Sequence, residues 1–173
     1  RPKTGSPNLP ELLAPAGSPE AFRAALAAGA DAIYLSGKRF GARKFAANFT
    51  KEEIEESVRS AHTHGVRVYV TVNTLVHDRE LAAVTEYLVW LYSIGVDAVL
   101  IQDAGLAALA RELVPDLAIH ASTQMTVHNA AGVRCAAMQG FSRVVLAREL
   151  PLTAVKRIAE ATRDTGVGLE VFV

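Results

Sequence analysis

One layout recurs along this chain and limits its fold more than any other feature. In "AGADAIYLSG" (28–37), "IGVDAVLIQD" (94–103) and "QGFSRVVLAR" (139–148), a helix end meets a glycine, a short polar link and a run of branched apolar residues. Gly29, Gly65, Gly95, Gly140 and Gly166 all stand where a helix stops and a strand begins. Glycine suits the left-handed backbone that ends a helix. The helix starts are as well marked. Ser18-Pro19-Glu20 supplies a cap, a proline at the first helical position and an early acid. Thr50 with Glu53 forms a capping box, and Asp78 and Asp103 stand at cap positions before apolar stripes of helical spacing.

The pattern predicts strands at 11–14, 32–36, 66–73, 98–102, 117–122, 143–147 and 168–173. Helices are expected at 19–28, 51–64, 79–94, 104–113, 129–138 and 152–164. Strict alternation of this kind predicts an α/β protein with a parallel sheet. A doubly wound nucleotide fold is disfavoured, because no GxGxxG follows a strand and Gly166-Val167-Gly168 precedes one. Short, regular units favour a (β/α)8 TIM-type barrel, truncated here to about seven strands and six helices. Residues 1–10 read as a flexible lead-in and 11–173 as a partial barrel. The final "LEVFV" breaks off inside a strand. An open parallel edge of this kind is expected to favour self-association.

Composition narrows the function. Half of the 173 residues are hydrophobic, enough for one sizeable core, and the formal net charge is zero. No global field therefore draws in nucleic acid or membrane, and charge recognition must be local. No run reaches the ~18 apolar residues of a membrane span. A lone cysteine, Cys135, excludes an internal disulfide, points to a cytoplasmic setting and reads as a small core residue in its helix.

Strand alternation then sorts side chains by face. In "VRVYVTVN" (66–73) the valines belong under helices, and Tyr69, Thr71 and Asn73 point inward. The same rule turns Tyr34, Ser36, His120 and Ser122 inward, with Ile33, Leu35, Leu117 and Ile119 outward. Gln102, Arg148 and Glu170 join the inward set. A barrel filled only for stability carries Val, Ile and Leu inside. Polar residues at the C-terminal strand ends point instead to a ligand site there.

After the second strand comes "GKRFGARKFAANF" (37–49), where a tight turn is usual. Two readings stand. Its cations and rings cover a planar, anionic ligand, or its phenylalanines anchor the loop to the rim. His62 and His64, at a helix C-terminus on the far side, are expected to meet the helix dipole and free carbonyls rather than a metal. No HExxH or GxSxG motif occurs. Asp103, His120 and Ser122 lack the spacing support to be drawn as a triad.

Several segments carry a resemblance. "ELLAPAGSPEAFRAALAAGADAIYLSG", "RFGAR…ANF", "VYVTVNTL", "DAVLIQD", "IHASTQM" and "LARELPL" occur in order. Together they resemble the collagenase-like peptidases of family U32 over residues 11–173. The resemblance implies two kinds of activity. Some members are linked to collagenase-like proteolysis. Others are linked to oxygen-independent hydroxylation of a transfer RNA uridine, a ribosomal RNA cytidine or a ubiquinone precursor. The hydroxylation members carry a four-iron–four-sulfur (4Fe-4S) cluster on four cysteines, and prephenate is a partner metabolite in the RNA cases. The cysteine signature follows a segment like "LEVFV", so no cofactor is expected in this piece and the cluster is expected in the parent protein beyond residue 173. This piece alone is then expected to be inactive.

The resulting expectation is an iron–sulfur-dependent hydroxylase of RNA bases or a similar aromatic substrate. His120, Glu170 and Arg148 are the candidate catalytic residues. Tyr34, Arg39, Phe40, Arg43, Asn48, Tyr69, Asn73, Gln102, Ser122 and Gln124 are the candidate substrate contacts, with no resident metal. The alternatives are a peptidase using His120 and Glu170 with a metal, and a non-catalytic scaffold that binds RNA or a partner.

Overall fold

The computed structural model describes residues 9–42 and 48–173. The expected lead-in falls mostly on residues 1–8, outside that range. Seven parallel strands lie side by side in chain order: β1 (Leu13–Ala16), β2 (Ala32–Ser36), β3 (Arg67–Val72), β4 (Ala98–Ile101), β5 (Ala118–Ala121), β6 (Arg143–Val145) and β7 (Gly168–Glu170). Between them run α1 (Pro19–Ala27), α2 (Lys51–Thr63), α3 (Leu81–Ser93), α4 (Ala104–Leu113), α5 (Ala130–Met138) and α6 (Leu152–Ala161). This is a truncated α/β barrel, as the alternation predicts.

The caps act where the sequence puts them. Ser18 Oγ accepts the Ala21 N–H at 3.2 Å, and Asp103 Oδ1 accepts that of Leu106 at 2.9 Å. Thr50 and Glu53 exchange both bonds of the capping box. Asp78 is different. It begins a single 3-10 turn, Asp78–Glu80, and the Glu80 carboxylate accepts the His77 N–H. Leucine 81, not residue 79, therefore opens the regular helix.

All five stop glycines have positive φ, between 65° and 84°. The polar links that follow them have a second task. Asp31 Oδ2 accepts the Leu12 N–H at 2.9 Å, and Asp97 Oδ2 accepts that of Val68 at 2.7 Å. Each link thus ties its own unit to the start of the preceding strand. His62 also meets Asp97, at 2.9 Å, and His64 Nδ1 meets the Ser60 carbonyl at 2.8 Å. His64 meets a free carbonyl at the helix end, as expected for that position, whereas His62 pairs with the carboxylate of the polar link before β4.

β1 begins two residues later than expected. Leu12 is held by Asp31, and Glu11 turns into the interior. Outward strand residues form the main core with the helices, including Ile33, Leu35, Val66, Val68, Val70, Val72, Leu117 and Ile119. The interior is less polar than the alternation suggested. Ala32, Tyr69, Ala98, Leu100 and Val145 form a buried apolar cluster there. Runs such as "AVLI" are apolar on both faces, so alternation cannot reveal their inward members. Cys135 is likewise corrected: it lies exposed on α5, not in the core.

Candidate functional site: a mouth cavity above a buried ionic knot

The register of the strands stacks the inward side chains in layers. Tyr34, Tyr69, Ala98 and Ala118 align across β2 to β5. Thr71, Leu100, His120 and Arg143 align one layer higher, towards the C-terminal ends.

Deep in the interior is a knot of charge. Glu11 accepts hydrogen bonds from Arg143 Nη1 at 2.7 Å, from the Tyr69 hydroxyl at 3.0 Å and from Arg67. Arg143 Nη1 also lies 3.4 Å from Glu170 Oε2, and its guanidinium sits 5.4 Å over the Tyr69 ring. The side chains of Glu11 and Arg143 are only 15% and 20% exposed. Burial opposes the Glu11 charge, but the hydrogen bond and charge of Arg143, with Arg67 behind them, hold its carboxyl below the ordinary glutamate range. For Glu170 burial wins, and Arg143 only partly offsets it, so this carboxyl lies above its ordinary value. Burial also pushes the Tyr69 phenol up to about 12.

His120 stands beside this knot, 4% exposed, with its ring edge-on to Tyr69 at 4.9 Å. Burial, then the charge of Arg143, pushes the imidazole down to about 3, so it is neutral. Its Nδ1 is buried without a hydrogen-bond partner among the described residues. Ser122, two residues on, does not turn to it. Ser122 Oγ accepts from the Gln124 N–H at 3.3 Å and from Asn73 Nδ2 at 3.5 Å.

Above the knot, at the C-terminal ends of the strands, opens a cavity of about 260 Å³. The structure brings Tyr34, Asn48, Asn73, Ser122, Gln124, Arg148 and Glu170 to its wall. Arg148 lies 4.1 Å over the ring of Phe172, which also lines it, so a guanidinium and a phenyl form one flat side. Asn73 is a brace as well as a wall. Its Oδ1 accepts the Ala42 N–H at 3.0 Å while its Nδ2 reaches Ser122. Asparagine at the end of β3 thereby joins the β2–α2 loop to the start of the β5–α5 loop.

Other expected site residues lie elsewhere. His120 and Tyr69 are not on the cavity wall, although Leu100 and Tyr34 of their own layers reach it, and Gln102 is half-buried off the wall. Arg43 lies outside the described residues. Phe40 turns away from the mouth and packs on Tyr87 of α3, with ring centroids 5.8 Å apart, while Arg39 covers its other side at 4.8 Å. Phe49 is 1% exposed in the main core. Burying a phenylalanine contributes about 2 kcal/mol, so these two rings anchor the loop to the frame. For Phe40 and Phe49 this packing fits the anchoring reading of the loop.

Glu11 and Arg143 escaped the sequence reading. Glu11 precedes its strand, and the run "RVV" is too short and too apolar to fix its own phase. Strain marks the mouth independently. Among the described residues, the non-glycine positions with positive φ are Phe40, Asn48 and Thr126, all in loops after β2 or β5.

The chain is similar to several known proteins. It is 40% identical over 163 residues to the 23S rRNA 5-hydroxycytidine C2501 synthase of Escherichia coli, covering 94% of this chain and 24% of that protein. It is 36% identical over 164 residues to tRNA hydroxylation protein P1 of Bacillus subtilis, covering 95% of this chain and 38% of that one. The chain thus spans well under half the length of these curated relatives. In fold it is similar to the U32 peptidase Mk0906, with a TM-score of 0.74 at 16% identity, covering 94% of this chain and 67% of that one. The family model for peptidase family U32 matches residues 17–173, nearly the whole chain, and the chain belongs to that family.

Proposed function

We propose that this chain is the substrate-holding part of an oxygen-independent RNA hydroxylase, and that the mouth cavity receives a single pyrimidine base. One observation carries this reading. The cavity joins flat walls, from Tyr34 and the Arg148–Phe172 pair, to amide groups at its rim. Flat walls suit the face of a base, and amides suit its edge. The Gln124 side-chain amide has no partner among the described residues, so it can read that edge. Arg148 is exposed and can also meet the adjoining phosphate. The names of the relatives, an rRNA hydroxycytidine synthase and a tRNA hydroxylation protein, support the choice of a pyrimidine in RNA.

The residues here do not fit a 4Fe-4S cluster. Cys135 is the single cysteine of the chain and lies on the outer surface of α5. Among the described residues, no three His, Cys, Asp or Glu side chains come together as metal ligands. The proposal therefore puts the cluster on cysteines outside residues 1–173. What these side chains build is a receptor. Glu170, with its raised carboxyl at the cavity wall, is the group able to hold a proton beside the bound ring. His120 is a poorer candidate, since it is neutral and off the wall. No helix among the described residues is long and apolar enough to cross a membrane.

The test uses cells lacking the full-length protein, complemented with wild type, Tyr34→Ala or Arg148→Ala. Total RNA is digested and its nucleosides are weighed by mass spectrometry. The expected result is a hydroxylated pyrimidine that disappears with the deletion, returns with wild type and falls at least tenfold with either variant. A nucleoside profile untouched by the deletion sinks the proposal.

A further inference from the structure

A second depression lies outside the mouth, between the β2–α2 loop and helices α2 and α3. It measures about 260 Å³ and is walled by Lys38, Arg39, Lys51 and Tyr87. A wider hollow of about 520 Å³ shares Lys38 and Arg39 and extends to Thr74 and Arg79. Beneath runs a ladder of rings. Phe40 packs on Tyr87, and Tyr87 stacks on Trp90 with centroids 5.4 Å apart.

The cations here are held in an unusual way. Arg39 sits 4.8 Å over Phe40 and the Lys51 ammonium 4.8 Å over Trp90, one at each end of the ladder. Among the described residues, none of Lys38, Arg39, Lys51 and Arg79 has a carboxylate within ion-pair distance. The contrast with Arg143, clasped by two carboxylates, is plain. A cation resting on a ring face keeps its hydrogen-bond donors free for an anion. Acids do occur on these walls, namely Glu52, Glu80 and Glu86. Glu80 is occupied by the His77 N–H. The Tyr87 hydroxyl closes the floor of the depression and is itself covered. The residue is 7% exposed, and its hydroxyl ends against Gly37 in the wall with no hydrogen bond among the described residues.

We propose that this outer rim is a second RNA contact, a track for the phosphate backbone that fixes a folded RNA while one of its bases enters the mouth. The inference rests on the RNA reading above and extends it to a separate surface. Phosphate contacts position a nucleic acid without reading its sequence. They also release counterions, which makes binding depend on salt.

The experiment measures binding of a fluorescent, in vitro transcribed transfer RNA to the full-length protein by anisotropy, over a series of salt concentrations. Wild type is compared with the triple variant Lys38→Ala/Lys51→Ala/Arg79→Ala, all surface positions. The expected outcome is affinity weakened at least tenfold at low salt, with the slope of log K against log salt shallower by about 2, at roughly 0.7 per lost contact. If wild type binds with a steep slope and the variant matches it, the rim is not a phosphate track, while the mouth proposal stands. If wild type shows no binding to the transfer RNA, the rim proposal falls, and the mouth proposal is decided by its own nucleoside test.

Discussion

The two ends of this barrel treat the same kinds of residue in opposite ways. At the N-terminal end, positive φ is carried by glycines, at Gly29, Gly65, Gly95, Gly140 and Gly166. There Asp31 and Asp97 are tied to backbone N–H groups. At the mouth, positive φ falls on Phe40, Asn48 and Thr126, which have a Cβ and therefore strain. The charges differ in the same sense. Arg143, in the interior, is shared between Glu11 and Glu170, whereas Arg148, at the mouth, rests on a phenyl ring. The Arg143 charge is matched by carboxylates, and that of Arg148 is not. The difference teaches that polarity alone does not mark a site. The interior knot is the more charged place, and its charges are already matched.

The comparison can be broken most sharply at Arg143. Replacing it by leucine takes away the more buried of the two cations on Glu11 and leaves only Arg67, whose side chain is half exposed; losing one partner of a fully buried pair costs about 3–5 kcal/mol, which is the upper bound here. Arg143→Leu should therefore lower the urea midpoint markedly, while Arg148→Leu should leave it nearly unchanged. Equal losses at the two arginines would erase the distinction.

His120 gives the next effect. Its folded pKa lies below the unfolded value, so the neutral form favours the fold. That contribution is complete above the ordinary histidine value of 6.5 and is lost as pH falls from there towards about 3. The slope is about 1.4 kcal/mol per pH unit for one proton. His120→Leu should flatten the pH dependence of the denaturation midpoint between pH 6 and 4. An unchanged slope would show that the imidazole charges freely in the fold.

The smallest effect sharpens the contrast inside the knot. The Glu170 carboxyl is raised, so its protonated form favours the fold, and its ionisation weighs against stability at neutral pH. Glu11 is lowered, so its ionised form stabilises above its unfolded value of 4.5 and that support fades as pH falls. Glu170→Gln should raise the thermal midpoint slightly at pH 7, and Glu11→Gln should lower it. Changes of the same sign would mean that Arg143 favours both carboxylates alike.

Much of the frame was legible in the sequence because its signals are local. A glycine after a helix, a serine before a proline and a threonine three residues before a glutamate each act within one turn. The outward valines of β3 were legible because every second residue is one. The interior was half legible. Tyr34, Asn73 and Ser122 stand out as polar residues in apolar runs, but Leu100 and Val145 have apolar neighbours on both faces and give no phase. The knot was not legible, since Glu11 and Arg143 meet across 132 positions and neither is odd in its own segment. The loop after β2 was misleading for a different reason. Its rings and cations alternate in sequence, but Phe40 faces Tyr87 while Arg39 stays at the surface, so one stretch supplies both core and surface.

The ties made by Asp31 and Asp97 bear on how such a protein can diverge. They set the starts of β1 and β3 from the end of the barrel opposite the mouth. A loop at the mouth can then lengthen, change charge or accept a new substrate without shifting the strand that carries it. Inheritance of the frame and variation of the receptor become separable, because they are anchored at opposite ends of the same seven strands.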